Sequence, residues 1–437
     1  MERGLELRRR ALGEDHPDTL TTMHSVAELH RLQGKYVQAE PLFMKVLELQ
    51  RRKLGKEHRD TLSTMNDLAL LFLYQGKYAQ AEPIFAEVLQ GRRRVLGEQH
   101  LDTLSSMNDL AVLYRHRRKY ADAERLLTHV VEGRQRLQGG EHPDTLTSMN
   151  NLAVVYRHEG KYAEAEPLLR KVVEGRRRVQ GENHLETLAS MNNLARVYGD
   201  QGKYTQAELL FTKVLEMQRR LQGEEHSGTL LVMNNLAVLY SHEGKYTQAE
   251  PLFNKVIELQ RRVLGQEHPD TQNSVYNLAL MYQAERQYTR AEPLLTTLVE
   301  MRRRILGSEH PDTTNVLASL GEIRLQQQRY AEAESPLREA LKGQERRSPD
   351  AWQRYDTQSM LGASLAAQAR FAEAERLLLT GYDGLLQRRG RIPWESRSVL
   401  ERACKGIFQL YQQWGKPEQA AEWGERLQAT TRASNLQ

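Results

Sequence analysis

The stretch Ser148 to Leu168, "SMNNLAVVYRHEGKYAEAEPL", alternates apolar and polar positions with a helical period. Met149, Leu152, Ala153 and Tyr156 recur at steps of three and four, the spacing of one helix face. "HPDT" precedes them. Pro143 suits a first helical position, where its missing N–H costs nothing. Asp144 and Thr145 suit the positive end of the helix. Gly160 predicts the stop. A second helix then carries Tyr162, Ala165, Leu168, Leu169, Val172 and Val173 on one side, runs to about Val179 and ends before Gly181. Ala153 and Ala165 are small enough to let the two helices approach closely, and Tyr156 and Tyr162 fill the space beside them.

The same pattern returns at a fixed stride. His16, His58, His100, His142, His184, His226, His268 and His310 are each 42 residues apart, and the tyrosines from Tyr36 to Tyr330 keep the same step. A fixed period of this length marks a repeat array. One helical hairpin cannot bury its apolar face alone, so stacking on neighbours is expected to make a continuous core. The expected organisation is a partial second helix over 1–13, then eight regular hairpins over 14–350. Their first helices start near 17, 59, 101, 143, 185, 227, 269 and 311. A degenerate hairpin over 351–394, a divergent capping hairpin over 395–430 and a flexible tail over 431–437 follow. The start, with half a hairpin, reads as a piece of a longer protein. All four tryptophans (Trp352, Trp394, Trp414 and Trp423) fall in the irregular end. Pro41, Pro83, Pro167, Pro251 and Pro293 lie early in second helices, where each loses one backbone bond and bends the helix slightly.

The pattern N-x-L/A-A-x-x-Y, then G-K-Y, then A-E, resembles the tetratricopeptide repeat. The 42-residue form, with "NNLA" and "GKYAEAEPL", is similar to the repeats of kinesin light chains and of related bacterial and fungal multidomain proteins. The resemblance covers about residues 5 to 430. It implies an all-α fold, a right-handed superhelical solenoid of antiparallel helix hairpins. It also implies a non-catalytic scaffold whose first helices line a concave groove for an extended peptide. The heptad segment by which kinesin light chains join the heavy chain is absent from the sequence, so the kinesin heavy chain is not the expected partner. The irregular end resembles the close of the bacterial arrays.

Candidate binding residues lie on the side of the first helices left free by the core. Asn66, Asn108, Asn150, Asn192 and Asn234 form one ladder. Beside them run Asp67, Asp109, Asn151, Asn193, Asn235 and Asn277. Asparagine is a poor helix-interior residue, so its recurrence needs a reason. Its amide carries donor and acceptor together, which suits the main chain of an extended peptide. The alternative is that these amides bond the neighbouring repeat and hold the superhelix. Arg115, Arg157, Arg196 and His158 make the middle of this side basic, which fits an acidic peptide. Val112, Val154 and Val238 offer small apolar patches between the polar rungs.

Composition narrows the class. The chain has 437 residues, 39% hydrophobic and 27% charged, with net charge +5. So polar a balance fits a thin solenoid, and so small an excess charge does not by itself imply nucleic acid or membrane. One cysteine, Cys404, excludes an internal disulfide and points to a reducing, cytoplasmic setting. No apolar run is long enough to span a membrane. The basic runs Arg8 to Arg10, Arg51 to Lys53, Arg92 to Arg94, Arg176 to Arg178 and Arg302 to Arg304 are read as a solvated face. Nucleic-acid or anionic-surface binding through them is the first alternative, and a purely structural spacer or oligomer the second. No cofactor or metal is expected. Histidines one repeat apart are separated by about 10 Å, too far to share an ion bound at about 2 Å; each is read as packing in the loop or capping a helix start. No Gly-rich phosphate loop, HExxH or GxSxG motif appears, and no enzyme activity is expected.

Overall fold

The structure is a computed structural model that describes residues 2–392, 396 and 398–435. The described residues form helices and no strand. The chain divides into two compact units, residues 1–182 and 183–437.

The first unit holds a lone helix, Glu2–Leu12, and four hairpins. Their helices are Pro17–Leu32 with Tyr36–Lys53, Arg59–Tyr74 with Tyr78–Leu96, Leu101–His116 with Tyr120–Gln138, and Pro143–His158 with Tyr162–Gln180. The second unit holds the fifth to tenth hairpins. These are Leu185–Asp200 with Tyr204–Gln222, Ser227–His242 with Tyr246–Val263, Pro269–Ala284 with Tyr288–Leu306, Pro311–Gln326 with Tyr330–Arg347, Trp352–Ala367 with Phe371–Gln387, and Ser398–Trp414 with Pro417–Asn435. Each unit is a stack of such pairs.

The repeated histidine explains where first helices begin. His142 sits in extended backbone as the N-cap, and its Nδ1 accepts the backbone N–H of Asp144 at 3.2 Å. That satisfies one of the four donors a helix start leaves unpaired. His16, His58, His100, His184, His226, His268 and His310 do the same. The first helix ends where Gly160, at φ 74°, turns into the left-handed region. There the Lys161 N–H reaches back to the Tyr156 carbonyl at 2.8 Å, which closes the last turn. In the third hairpin Arg118 takes that conformation at φ 58° without the freedom of glycine.

The interior follows the small-and-large logic. Ala153 and Ala165 are fully buried at the helix contact. Phe43 and Phe85 in the first unit, and Phe211 and Phe253 in the second, fill the equivalent interior site of successive hairpins. Each such side chain adds about 1.5–3 kcal/mol of burial. The last two hairpins exchange this pattern for aromatic packing. Tyr382 meets Trp423 edge to face at 5.0 Å, with Leu378, Ile407 and Cys404 buried around them. Trp394 lies outside the described residues.

One expectation from the sequence needs correction. The arginine runs are not uniformly solvated, because the leading residue points inward in three of them, at Arg92, Arg176 and Arg302, while Arg8 stays exposed. Arg92, Arg134, Arg176 and Arg302 are each less than a tenth exposed. Arg134 donates to the Asp144 carbonyl at 2.9 Å, to Ser148 Oγ at 2.9 Å and to Ser105 Oγ at 2.8 Å. It thereby pins its own helix to the first helix of the next hairpin. Gln50, Gln218, Gln260 and Gln344 hold the same buried rung elsewhere. Hydrogen bonds to neutral partners, with the charges of Asp144 and Asp109 nearby, offset the desolvation of the Arg134 cation.

Candidate functional site

The candidate residues sit where the first helices of each unit stand side by side, and the structure places them in two groups. The first is the amide ladder. Asn151 donates through Nδ2 to Asn108 Oδ1 at 3.1 Å, across one repeat plus one residue. Asn66 donates to Asp109 Oδ2 at 2.8 Å, and His24 Nε2 meets Asp67 Oδ2 at 2.8 Å. In the second unit Asn235 donates to Asn192 at 3.0 Å and Asn277 to Asn234 at 3.3 Å. The series ends with Tyr276 and Ser319 at 2.9 Å. The rule is constant: the first position of one hairpin bonds the second position of the next.

Asparagine is suited to this because it can serve either end. Against a carboxylate it donates, as Asn66 does to Asp109; against another amide Asn108 accepts. Asn66, Asn192 and Asn234 are consequently buried, while Asn108, Asn150, Asn151, Asn193, Asn235 and Asn277 are half-buried. Burial pushes the Asp109 carboxyl above its ordinary range, against the pull of Asn66, Asn108, Arg92 and Arg134. Sequence reasoning put the ladder on the free side. Bonding to the neighbouring repeat was the alternative reading of these amides, and the bonds from Asn66 to Asp109 and from Asn151 to Asn108 are of that kind. What the sequence did not give was the pairing of two different positions of the repeat.

The second group lies at the C-terminal ends of the first helices. Arg115 is half-buried, and its Nη2 donates to His116 Nε2 at 3.0 Å. The His116 ring lies over Tyr78 at 5.7 Å, and the His158 ring is stacked on Tyr120 at 5.4 Å. Desolvation and the adjacent Arg115 charge push the His116 pKa down to about 4. Arg157 is half-buried one hairpin further on; Arg196 belongs to the second unit. Between the two groups runs a strip of partly exposed apolar side chains, Leu70, Val112 and Val154 in the first unit, Val238 and Leu280 in the second.

The tetratricopeptide repeat model matches residues 1–52, 25–93, 60–136, 108–176, 144–220, 201–262, 228–274 and 270–346. The chain belongs to the tetratricopeptide repeat family. No curated protein matches it. Among solved structures, this tetratricopeptide array is similar to a putative kinesin light chain of nearly identical repeats from Podosopora anserina. That match is at 31% identity, covers 47% of this chain and 97% of that one, and has a TM-score of 0.40. It is similar in fold to a Rap protein complexed with competence and sporulation factor, at 12% identity, 86% and 99% coverage and TM-score 0.53. The apo quorum sensor NprR from B. thuringiensis matches at 15% identity, 84% and 99% coverage and TM-score 0.55.

Other members of the tetratricopeptide array's arginine runs are engaged in exposed ion pairs. Arg93 pairs with Glu98 at 2.8 Å and Arg94 with Glu57 at 2.5 Å. Arg178 pairs with Glu141 at 2.5 Å and Arg52 with Asp15 at 2.6 Å. The nucleic-acid alternative draws no support from runs divided in this way between burial and pairing. Cys404 is fully buried, and its thiol is pushed up to about 11 by burial, far from a nucleophile's range. Among the described residues no helix is long and apolar enough to cross a membrane, and no group of three His, Cys, Asp or Glu could hold a metal ion.

Proposed function

We propose that the chain is a non-catalytic, cytoplasmic protein-interaction scaffold that holds an extended segment of a partner protein along its first-helix faces. The observation that carries this is the strip of partly exposed Leu70, Val112 and Val154, repeated as Val238 and Leu280, between polar rungs on both sides. An extended chain presents alternate side chains to such a strip and its main-chain groups to the rungs. Asn108 and Asn151 bond each other, yet both stay half-buried and keep donors and acceptors beyond their mutual contact. The Rap structure, similar in fold, is of a complex with a competence and sporulation factor, which supports the same use of the fold.

The test is selection of twelve-residue peptides from a displayed random library against the purified chain. Selected peptides are expected to lose binding to Val154→Glu or Val238→Glu and to keep it for Lys171→Glu, on a second helix. Peptides that bind all three variants alike, or no selected peptide at all, overturn the reading.

A further inference from the structure

The first hairpin contains an internal version of a contact that the third hairpin lacks. Arg31 is held by Glu28, three residues earlier on the same face. Nε donates to Oε2 at 2.7 Å and Nη2 to Oε1 at 2.5 Å, the two-pronged geometry that guanidinium and carboxylate favour. Arg31 also lies over the Tyr74 ring at 5.2 Å. Arg115 occupies the same rung two repeats on, but the residue three before it is Val112. Among the described residues Arg115 has no carboxylate partner, and its one side-chain hydrogen bond goes to His116. The acids nearby in sequence are taken. Glu82 pairs with Lys119 at 2.8 Å and with Arg117, and Asp122 pairs with Arg125 at 2.9 Å.

We propose that Arg115 anchors an acidic side chain, Asp or Glu, of the segment held on the first-helix face. The proposal rests on the scaffold reading above and names the chemistry of its guest. Arg115 stands near Tyr78 and Tyr120, and burial weakens its hold on its proton. A half-buried cation without a counterion gains more from a carboxylate than a solvated one does. His116 spends its Nε2 lone pair on one nitrogen and leaves the other guanidinium donors for a planar acceptor. Val112 beside it offers the apolar contact that the stem of an acidic side chain uses. In the first hairpin Glu28 already fills that place, so Arg31 is closed to a guest.

The test uses the full chain labelled with ¹⁵N-arginine and three small probes: N-acetyl-glutamate methylamide, N-acetyl-glutamine methylamide and N-acetylglycine. The Arg115 Nε–Hε signal, assigned from Arg115→Lys, is expected to shift saturably with the glutamate probe and not with the glutamine probe. Val112→Glu rebuilds the Glu28–Arg31 pair inside the third hairpin. It is expected to abolish that shift while leaving the melting temperature unchanged or raised, and to weaken acidic selected peptides by roughly tenfold. No saturable Arg115 shift, or a shift that persists in Val112→Glu, overturns the proposal. A stronger response to N-acetylglycine overturns it in favour of a chain-terminal carboxylate. Selected peptides that bind the first-helix face without preferring acids sink this inference and leave the scaffold reading standing. Failure to select any peptide sinks the scaffold reading itself.

Discussion

Asn235 donates to Asn192 across neighbouring first helices at 3.0 Å, 43 residues apart in a chain whose repeat is 42. The extra residue matters. It means that the bond joins two different positions of the repeat, so each hairpin offers one polar group forward and another backward. Asn192 is buried, and truncating it leaves the Asn235 donor without its partner. Asn192→Ala is expected to cost about 1–3 kcal/mol. The pair Asn192→Ala with Asn235→Ala is expected to cost less than the sum of the two. Urea unfolding of the four proteins checks this. Additive losses would mean that the ladder contributes nothing as a pair.

The buried arginine rung gives a second expectation. Arg134 satisfies two serines and a carbonyl, and the same rung carries glutamine in four other hairpins. Arg134→Gln is therefore expected to cost less than about 1 kcal/mol. Arg134→Ala, which removes the donor to Ser105, Ser148 and the Asp144 carbonyl, is expected to cost about 2–3 kcal/mol. Thermal unfolding separates the two, and equal losses for Gln and Ala would refute a hydrogen-bonding role.

A pH effect follows from His116. Its pKa falls from the ordinary 6.5 to about 4 in the folded chain, so the unfolded chain binds more protons between those values. Stability contributed by the neutral ring is present above 6.5 and is lost as pH falls through that window. Denaturant midpoints measured from pH 7 to pH 4 are expected to drop less in His116→Gln than in the parent. An identical drop in both would show that His116 titrates alike in the folded and unfolded chain.

Packing in the ninth hairpin sets a steric limit. A Cβ at Gly384 would collide with the ring of Tyr355. Arg354 at 4.9 Å and Arg388 at 4.3 Å flank that ring and keep it from moving aside. Gly384→Ala is expected to destabilise the second unit by about 1–3 kcal/mol or more. Hydrogen exchange would show faster opening of Trp352–Ala367 first. Unchanged protection there would contradict the contact.

The sequence by itself determined the hairpins, their stride and their ends. Those depend on signals along the chain: apolar positions at helical spacing, histidine one residue before the first helix of each regular hairpin, and in most of them glycine after it. Tertiary structure alone decided which polar residues face a neighbour. In Arg92, Arg93 and Arg94, successive side chains leave the helix about 100° apart. The first meets Ser106 in the next hairpin, the second Glu98 in the loop ahead, and the third Glu57 in the loop behind. Three identical residues acquire three roles because the neighbouring hairpins stand on different sides of one helix. The same holds for the asparagines. Their recurrence was legible, but the bond from Asn151 to Asn108 depends on how far adjacent first helices are offset. Stacking of the side chains beneath them sets that offset.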